Sequence, residues 1–410
     1  MEYTYEFLSS ENIASYLASR PETASVIDSS AIVEMQEVGD GNLNLVFIVK
    51  DDKGKGIVLK QALPYVRLVG PSWPMSPDRA RIEYQTTVIH SEAAPHLVPE
   101  IYFYDTDRYI IAMEDLSDHK VWRTALINGE INYGAAESVG EYIAKVTFAT
   151  SIFGAGAAAH KAGIARAINP EICLITEDLV FTEPYFPGDR NSYLPSNEPD
   201  ALAIINDQQM VLEMGELKFA FMTASEALIH GDLHTGSVMV KSTETGAEVS
   251  TRAFDSEFSF YGPIAFDIGA VFANFYIALA RSIALGRTSH IAFLETLPTA
   301  MWDSFETHFR RLWPTRVDAR VFNDELLDVL MAKWKEEAFG FAAAKMARRI
   351  VGLAKTSDIE TLEPALREGA ARGVLQAAQM LVRARHDHES VTNMTAQVKA
   401  IMESVRTGGK

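Results

Sequence analysis

The chain has 410 residues, of which 48 % are hydrophobic and 22 % are charged, a composition typical of globular proteins and not of disordered ones. This length predicts two or three domains or lobes, because it exceeds what one simple core accommodates. With 37 Lys and Arg against 55 Asp and Glu, the formal net charge is −18, which argues against nucleic acid or an anionic membrane as a partner.

The single cysteine and the apolar stretches bear on location. Cys173 has no second cysteine with which to form an internal disulfide, and together with the lack of a secretory signal pattern this predicts a reducing cytoplasm. The nearest approach to a membrane span, residues 265–285, contains Asp267, Asn274 and Arg281. We therefore expect no membrane-spanning helix, since a span takes about 20 consecutive apolar residues.

The first 116 residues carry short β-like runs. A first helix is predicted from Ser9 or Ser10, and the pattern then predicts three strands, a helix and two further strands. Their ranges are 32–38, 44–50, 56–62, 78–92, 101–105 and 108–113. Because the connections are too short for crossovers, the sheet is predicted to be antiparallel.

The rest of the chain carries helical periodicity. The predicted helices are 135–153, 205–227, 266–285, 325–354 and 363–385, with strand-like pieces at 238–240 and 252–254. The change of pattern predicts two lobes, residues 1–116 and residues 117–410.

A glycine segment joins the first two predicted strands. Gly39 and Gly41 allow backbone N–H groups to approach phosphate oxygens, and Asp40, Asn42 and Asn44 lie beside them. The segment lacks the full Gly-x-Gly-x-x-Gly pattern, and taken alone it is better explained as a hairpin turn.

A lysine interrupts the third, apolar strand. Lys60 faces the side opposite Leu59, where it can bind phosphates, and Glu83 on the following helix can orient it. Without further context, a solvated lysine on an edge strand is the more common arrangement.

The last strand of the sheet ends in a possible adenine site. The backbone of Met113, Glu114 and Leu116 can bond an adenine edge while apolar neighbours cover the ring. An ordinary strand-to-helix turn explains the segment at least as well.

The strongest signal is His230-Gly231-Asp232, which precedes a short apolar strand. Asp232 is placed to accept the proton of a substrate hydroxyl or to orient that hydroxyl. A zinc site with His234 is an alternative, but no third ligand stands at a typical spacing, and a purely structural loop is another.

A pair of carboxylates follows. Asp255 and Glu257 point to the same side if the chain is extended, and two such carboxylates suit Mg²⁺. The alternative is a solvated acidic turn, although the flanking aromatic residues favour burial.

Three charged residues lie on later predicted helices. Asp267 is predicted to have a structural role, with its carboxylate accepting backbone N–H groups of a neighbouring loop. Arg348 and Arg349 project about 100° apart on a helix, so both can reach one pocket only near its rim. Solvent-facing arginines are the more common arrangement for such a pair.

The order of these features resembles the protein-kinase-like fold, which is α+β and bilobal. The His-Gly-Asp and Asp-x-Glu segments are similar to its small-molecule branch, with the aminoglycoside and choline kinases. Four segments are further similar to the methylthioribose kinases: residues 38–44, 70–75, 112–116 and 230–237.

This resemblance implies phosphorylation of the anomeric hydroxyl of methylthioribose in methionine salvage, with ATP and Mg²⁺, by a homodimer. It implies that Asp232 is catalytic and that Asp255 and Glu257 hold metal. Lys60 with Glu83 would serve the phosphates of ATP.

For the sugar, the resemblance implies contacts from Arg348 and Arg349, with the loop of Trp73 over the site. One residue departs from the wider fold: Ser237 stands where an asparagine usually binds metal. This departure puts a two-metal arrangement in doubt and leaves Glu257 as the substitute ligand.

Other functions remain open from the sequence. A related kinase would phosphorylate an amino alcohol, homoserine or an aminoglycoside, and the acidic surface suits the last. A pseudokinase acting as a binding protein would lack Lys60, Asp232 or Asp255, and all three are present. A protein kinase is disfavoured because no Ala-Pro-Glu segment follows the acidic motif.

Overall fold

A computed structural model describes residues 5–38, 43–67 and 70–406. The predicted phosphate-covering residues Gly39, Asp40, Gly41 and Asn42 lie outside the described residues, so their proposed role stays a prediction.

The N-terminal part contains a five-stranded sheet in the order β1-β2-β3-β5-β4, with every neighbouring pair antiparallel. This confirms the predicted arrangement. The elements are α1 (Ile13–Ala18), β1 (Ile32–Glu37), β2 (Asn44–Asp51), β3 (Gly56–Ala62), α2 (Arg79–Ala93), β4 (Ile101–Asp105) and β5 (Ile110–Glu114).

The start predicted for α1 was wrong by three or four residues. The Ser9 N–H donates to the Asn12 side chain at 2.8 Å, so this segment forms a turn and the helix begins at Ile13. A side chain bonded to the nearby backbone competes with helix formation at that place.

The two faces of the sheet pack against different helices. Leu59 belongs to the apolar cluster that contains Ile13 and Leu17 of α1, whereas Lys60 bonds to Glu83 of α2. Since side chains alternate along a strand, this register turns Lys60 away from the apolar core and towards α2, as the sequence predicted.

The remainder is mostly helical, with two small antiparallel sheets, β6-β8-β9 and β7-β10. Its strands are β6 (Lys120–Val121), β7 (Ala227–Ile229), β8 (Val238–Ser242), β9 (Glu248–Ala253) and β10 (Phe260–Gly262). Its helices are α3 (Trp122–Asn128), α4 (Ala135–Thr150), α5 (Gly156–Arg166), α6 (Pro170–Leu179), α7 (Glu198–Ile205), α8 (Gln208–Thr223), α9 (Ile264–Leu285), α10 (Thr288–Leu294), α11 (Leu297–Leu312), α12 (Asp324–Ile350), α13 (Ser357–Glu360), α14 (Pro364–Ala384) and α15 (Val391–Ser404).

Four of the five predicted helices in this region correspond to α4, α9, α12 and α14, to within four residues at either end. The helix predicted over 205–227 was too long. The Asp207 carboxylate accepts from the N–H groups of Gln209 and Met210, which starts α8 at Gln208 and separates it from α7.

Helix α9 is the central helix of this region and packs against α12, α14 and α10. It is long and apolar enough to cross a membrane by length and composition, but 89 % of its apolar window is buried inside the protein. Such burial is typical of a core helix.

Candidate active site

The loop that carries Asp232 is fixed by the start of α9. The Asp267 carboxylate accepts the His230 N–H at 2.7 Å and the Gly231 N–H at 3.0 Å, which confirms the structural role predicted for Asp267. Gly231 has φ 83°, and a Cβ there would lie 2.1 Å from the Phe258 carbonyl oxygen. Glycine is therefore required at this position.

Ser237 closes the same loop and is not turned towards a metal. Its hydroxyl donates to the Asp232 carbonyl at 2.9 Å and accepts the His234 N–H at 2.9 Å. His230 Nε2 bonds to the Phe254 carbonyl at 2.8 Å, which disfavours the zinc alternative. The serine is thus a loop residue, consistent with the doubt about a second metal.

The carboxylate of Asp232 lies between a lysine and a histidine. Lys345 Nζ of α12 donates to Oδ1 at 2.8 Å, and His234 Nε2 lies 3.4 Å from Oδ2. Although burial opposes it, the charges of Lys345 and Arg348 and a hydrogen bond from His234 hold the pKa of Asp232 well below its usual value. Asp232 is therefore ionised throughout the neutral range.

His234 is neutral in this site. Burial lowers its pKa to about 4, and its Nδ1 accepts the Gly236 N–H at 3.0 Å. The remaining proton consequently sits on Nε2, facing Asp232. The positive charge that stabilises Asp232 comes from α12.

A second cluster forms around Lys60. Its ammonium donates to Glu83 at 2.8 Å and to Asp255. Burial would lower the pKa of Lys60, but Asp255, Glu83 and Glu257 raise it above its usual value. The structure thus joins the predicted phosphate lysine, its helix glutamate and both predicted metal carboxylates, and excludes the solvated lysine.

The chain around Asp255 and Glu257 is not extended. Asp255 has φ 69°, in the left-handed region that few residues other than glycine, asparagine and aspartate adopt, and Glu257 lies in a turn. The expected alternation was therefore wrong, although both carboxylates still approach Lys60.

Glu257 is held by two partners on the sheet side. Arg79 Nε donates to Oε2 at 3.1 Å, and Asn44 Nδ2 donates to the same oxygen at 3.0 Å. Arg79 also binds the carbonyl oxygens of Leu43, Leu63 and Ser76 at 2.8–2.9 Å. The Asn44 side chain, predicted for ATP, is thus engaged in positioning Glu257.

Asp255 and Glu257, two of the carboxylates around Lys60, have the chemistry of ligands for a divalent cation. Three carboxylates face two cations, Lys60 and Arg79, and burial raises the pKa of Glu83 to about 7, with Lys60 opposing it and the other carboxylates adding to it. Clustered buried carboxylates are stabilised by a cation or take up a proton. Their oxygens are the ligands that Mg²⁺ prefers.

Basic residues crowd the other side of Asp232. Arg348 is buried, and among the described residues nothing accepts a hydrogen bond from its Nε. Arg349 is half-buried and donates to the Lys355 carbonyl at 3.2 Å. Burial, Arg348 and Arg123 lower the pKa of Arg349. The two arginines are therefore not the solvent-facing pair that sequence statistics favour.

The predicted adenine segment lies at the end of β5. The Met113 side chain is buried in the cluster with Ala62 and Ile111, and the Glu114 N–H is bound to the Glu100 carbonyl at 2.8 Å. Within the described ranges, the Leu116 N–H donates to no protein group, so it is free for a ligand.

Trp73 is half-buried and joins two parts of the protein. It packs in a small cluster with Leu43, Ile172 of α6 and Phe258 of the turn that follows Asp255. This places the predicted lid residue beside that turn.

We expect ligand binding to change the fluorescence of Trp73, because closure of its loop would alter the exposure of the indole. The other four tryptophans are buried. Titration of the emission with ATP and with methylthioribose measures the effect, and Trp73→Phe should abolish it. If neither ligand changes the emission, the loop of Trp73 does not act as a lid.

Three residues near these groups were not predicted from the sequence: Lys345, Arg79 and Arg123. Lys345 precedes the predicted arginines by three and four positions and shares their helix face, and Arg79 precedes Glu83 by four. Arg123 lies on a short helix that was not predicted, where it donates to Asn274 at 2.9 Å. Helical spacing from the predicted residues was the available signal for the first two.

Known proteins are similar to this chain over most of its length. The phosphotransferase enzyme family matches residues 34–289. The methylthioribose kinase of Enterobacter sp. (strain 638) is 39 % identical over 381 residues, 90 % of this chain and 93 % of that protein. That of Yersinia pseudotuberculosis (strain IP 31758) is 36 % identical over 386 residues, covering 91 % and 92 %.

The chain belongs to the methylthioribose kinase family. The structure consists of an antiparallel sheet followed by a mostly helical region. This confirms the α+β, protein-kinase-like fold that the sequence predicted. Among solved structures, choline kinase from Cryptosporidium parvum aligns over 96 % of each chain with 11 % identity and a TM-score of 0.47, a likeness too distant to bear on function.

Proposed function

We propose that the protein transfers the γ-phosphoryl group of ATP to the anomeric hydroxyl of methylthioribose, a step of methionine salvage. Membership of the methylthioribose kinase family supports the substrate. The observation that carries the chemistry is the ionised carboxylate of Asp232, held by Lys345 beside Arg348.

The division of labour follows the two parts of the chain. We propose residues 1–116 as the nucleotide-binding lobe, with Lys60, Glu83 and the Leu116 N–H towards ATP. Residues 117–410 form the lobe that carries the catalytic loop and the sugar site. The apolar cluster on the α1 side of the sheet contains only residues before 116, which supports this boundary, although Ala94 and Val98 pack in the cluster of the helical part.

In the proposed reaction, Asp232 Oδ2 accepts a hydrogen bond from the acceptor hydroxyl and aims its oxygen at the γ-phosphorus. Its low pKa makes Asp232 a weak base, so the proton moves late, as the bond to phosphorus forms. Arg348 and Arg349 bind the sugar and offset the charge that develops on the transferring group.

On the other side of the transferred group, Asp255 and Glu257 would hold Mg²⁺. The ion would draw charge from the phosphate oxygens during the transfer. Lys60, oriented by Glu83, binds the phosphates.

The charge of the pocket separates this acceptor from the alternatives. Lys345, Arg348 and Arg349 lie beside Asp232, and Arg123 lies beside the two arginines. Such a site repels choline and the polycationic aminoglycosides, whereas a neutral sugar enters without that penalty.

Arg348→Ala is expected to raise the KM for methylthioribose by about 10- to 100-fold, because a charge-assisted hydrogen bond to the sugar is lost. ATP affinity should change by less than about threefold. Steady-state kinetics with each substrate varied measures the difference, and Arg311→Ala, at an exposed helix arginine, is the control. An equal loss for both ligands would contradict a sugar role.

The acceptor is tested by ATP consumption with Mg²⁺ over a panel of methylthioribose, ribose, choline, homoserine and kanamycin. We expect turnover with methylthioribose at a kcat/KM at least about 100-fold above any other member. Preference for another acceptor would overturn the substrate but keep the phosphotransferase. If ATP is consumed with none of the acceptors, a binding protein would be favoured.

We further propose, from the resemblance, a cytoplasmic homodimer. The buried position of α9 supports a protein that does not use this helix as an anchor. Light scattering after gel filtration tests the dimer, and a mass of one chain would exclude it.

A further inference from the structure

Lys345 is a buried lysine whose charge is directed at one acceptor. It lies in α12 with a residue exposure of 5 %. Its ammonium donates to Asp232 Oδ1 at 2.8 Å and sits 4.7 Å from the centre of the Phe266 ring, on α9. Burying a lysine costs free energy unless it is paired, so the location of this residue calls for a function.

We propose that Lys345 is a positioning residue for phosphoryl transfer, which holds the Asp232 carboxylate in the orientation that receives the acceptor hydroxyl. The inference rests on the proposed function and adds a residue to it. Lys345 donates to Oδ1 at 2.8 Å, whereas His234 Nε2 stays 3.4 Å from Oδ2, so Oδ2 is the more open oxygen for the hydroxyl.

The contact between Lys345 and Asp232 prevents Asp232 from pairing with Arg348. Arg348 lies one helical turn further along α12, on the same face, and its Nε has no acceptor in the part of the chain that the structure describes. Without Lys345, the Asp232 carboxylate would swing to Arg348. Both groups would then be lost to the substrate at once.

The charge of Lys345 depends on pH within the working range. Burial lowers its pKa from 10.5 to about 8, with Asp232 opposing and Arg348 and Arg349 adding to the decrease. In the part of the chain that the structure describes, Asp267 of α9 also faces it and is bonded to two backbone N–H groups.

The pKa of Lys345 predicts that kcat falls at alkaline pH. Below about pH 8 Lys345 is protonated and the ion pair with Asp232 is intact. As the pH rises through that value the ammonium loses its charge while Asp232 stays ionised, so kcat should fall. His234 titrates near 4 and cannot produce this alkaline decline.

Two substitutions test the proposal in the full-length protein. Lys345→Met keeps the length of the side chain but removes its charge, and should lower kcat by about 10- to 100-fold with both KM values within about threefold. It should also remove the alkaline decline. Lys345→Arg should recover much of kcat and remain active above pH 9, because arginine stays charged. Lys335→Met, ten positions earlier on α12, is the matched control.

Two results would overturn the proposal: a kcat in Lys345→Met within about threefold of the parent, or an alkaline decline that survives the substitution. A merely structural role would lower the thermal midpoint without moving the pH profile.

The pKa of Lys345 can be measured without any substrate, so this measurement tests the ion pair separately from the proposed function. In protein labelled with ¹³C-lysine, the Cε signal that disappears in Lys345→Arg should titrate near 8, and Asp232→Asn should shift that pKa downward. A Lys345 pKa that does not change in Asp232→Asn would refute the ion pair whatever the substrate is. Titration near 8 that shifts downward in Asp232→Asn, together with no turnover of methylthioribose, would refute the proposed function and leave the ion pair standing.

Discussion

Replacing Asp232 by asparagine is expected to lower kcat by about 10³-fold or more, while ATP binds with nearly unchanged affinity. The amide has almost the same shape but cannot accept the proton of the acceptor hydroxyl, and such proton transfer contributes about 10²- to 10⁴-fold. It also removes the charge that Lys345 neutralises. Single-turnover kinetics and ATP titration measure the two effects.

Asp387→Asn, an exposed change of the same chemistry, serves as the control for Asp232→Asn. An unchanged kcat would show that Asp232 is not the catalytic carboxylate. Loss of ATP binding in proportion to kcat would instead make it part of the nucleotide site.

The second large effect is expected from Asp255→Asn. The substitution removes one carboxylate from the cluster around Lys60, and we expect kcat to fall by about 10²- to 10³-fold, with a higher Mg²⁺ concentration needed for half-maximal rate. Asparagine tolerates the left-handed backbone of this position, so the turn itself should be kept. The measurement is kcat as a function of Mg²⁺ concentration.

The control for Asp255→Asn is Asp318→Asn, because Asp318 is an exposed aspartate that also has a positive φ of 55°. If both variants behave alike, the carboxylate at Asp255 has no metal role. A thermal midpoint close to that of the parent protein would show that the Asp255 variant is folded.

The sheet could be predicted from the sequence because its cause is local. Alternating apolar residues and short polar connections leave few arrangements for the strands from Ile32 to Glu114. The same logic put Lys60 on the face away from Leu59. It also predicted that Asp267 binds backbone, since an aspartate in the first turn of a helix has few other uses when buried.

The turn between β9 and β10 could not be predicted in the same way. An extended segment would have placed Asp255 and Glu257 on one face, but the left-handed φ of Asp255 arises from packing against distant elements. Its ammonium partner is on β3, and the partners of Glu257 are on β2 and α2. Such contacts are invisible to patterns of neighbouring residues.

Lys345 and Arg79 were missed for a related reason. A lysine in a run of alanines reads as a solvated helix residue, and only the packing of α12 against α9 buries it. Arg79 stands in the first turn of α2, where the helix dipole disfavours a cation. The carboxylate of Glu257 and three backbone carbonyl oxygens offset that cost.

The most direct test of the central claim is the product itself. The protein is incubated with methylthioribose, ATP and Mg²⁺, and the product is examined by two-dimensional ¹H–³¹P correlation NMR. The account predicts a new phosphate monoester whose phosphorus correlates with the anomeric proton, formed in step with ADP and absent with Asp232→Asn. A monoester at another carbon, or ADP formed only with inorganic phosphate, would contradict it.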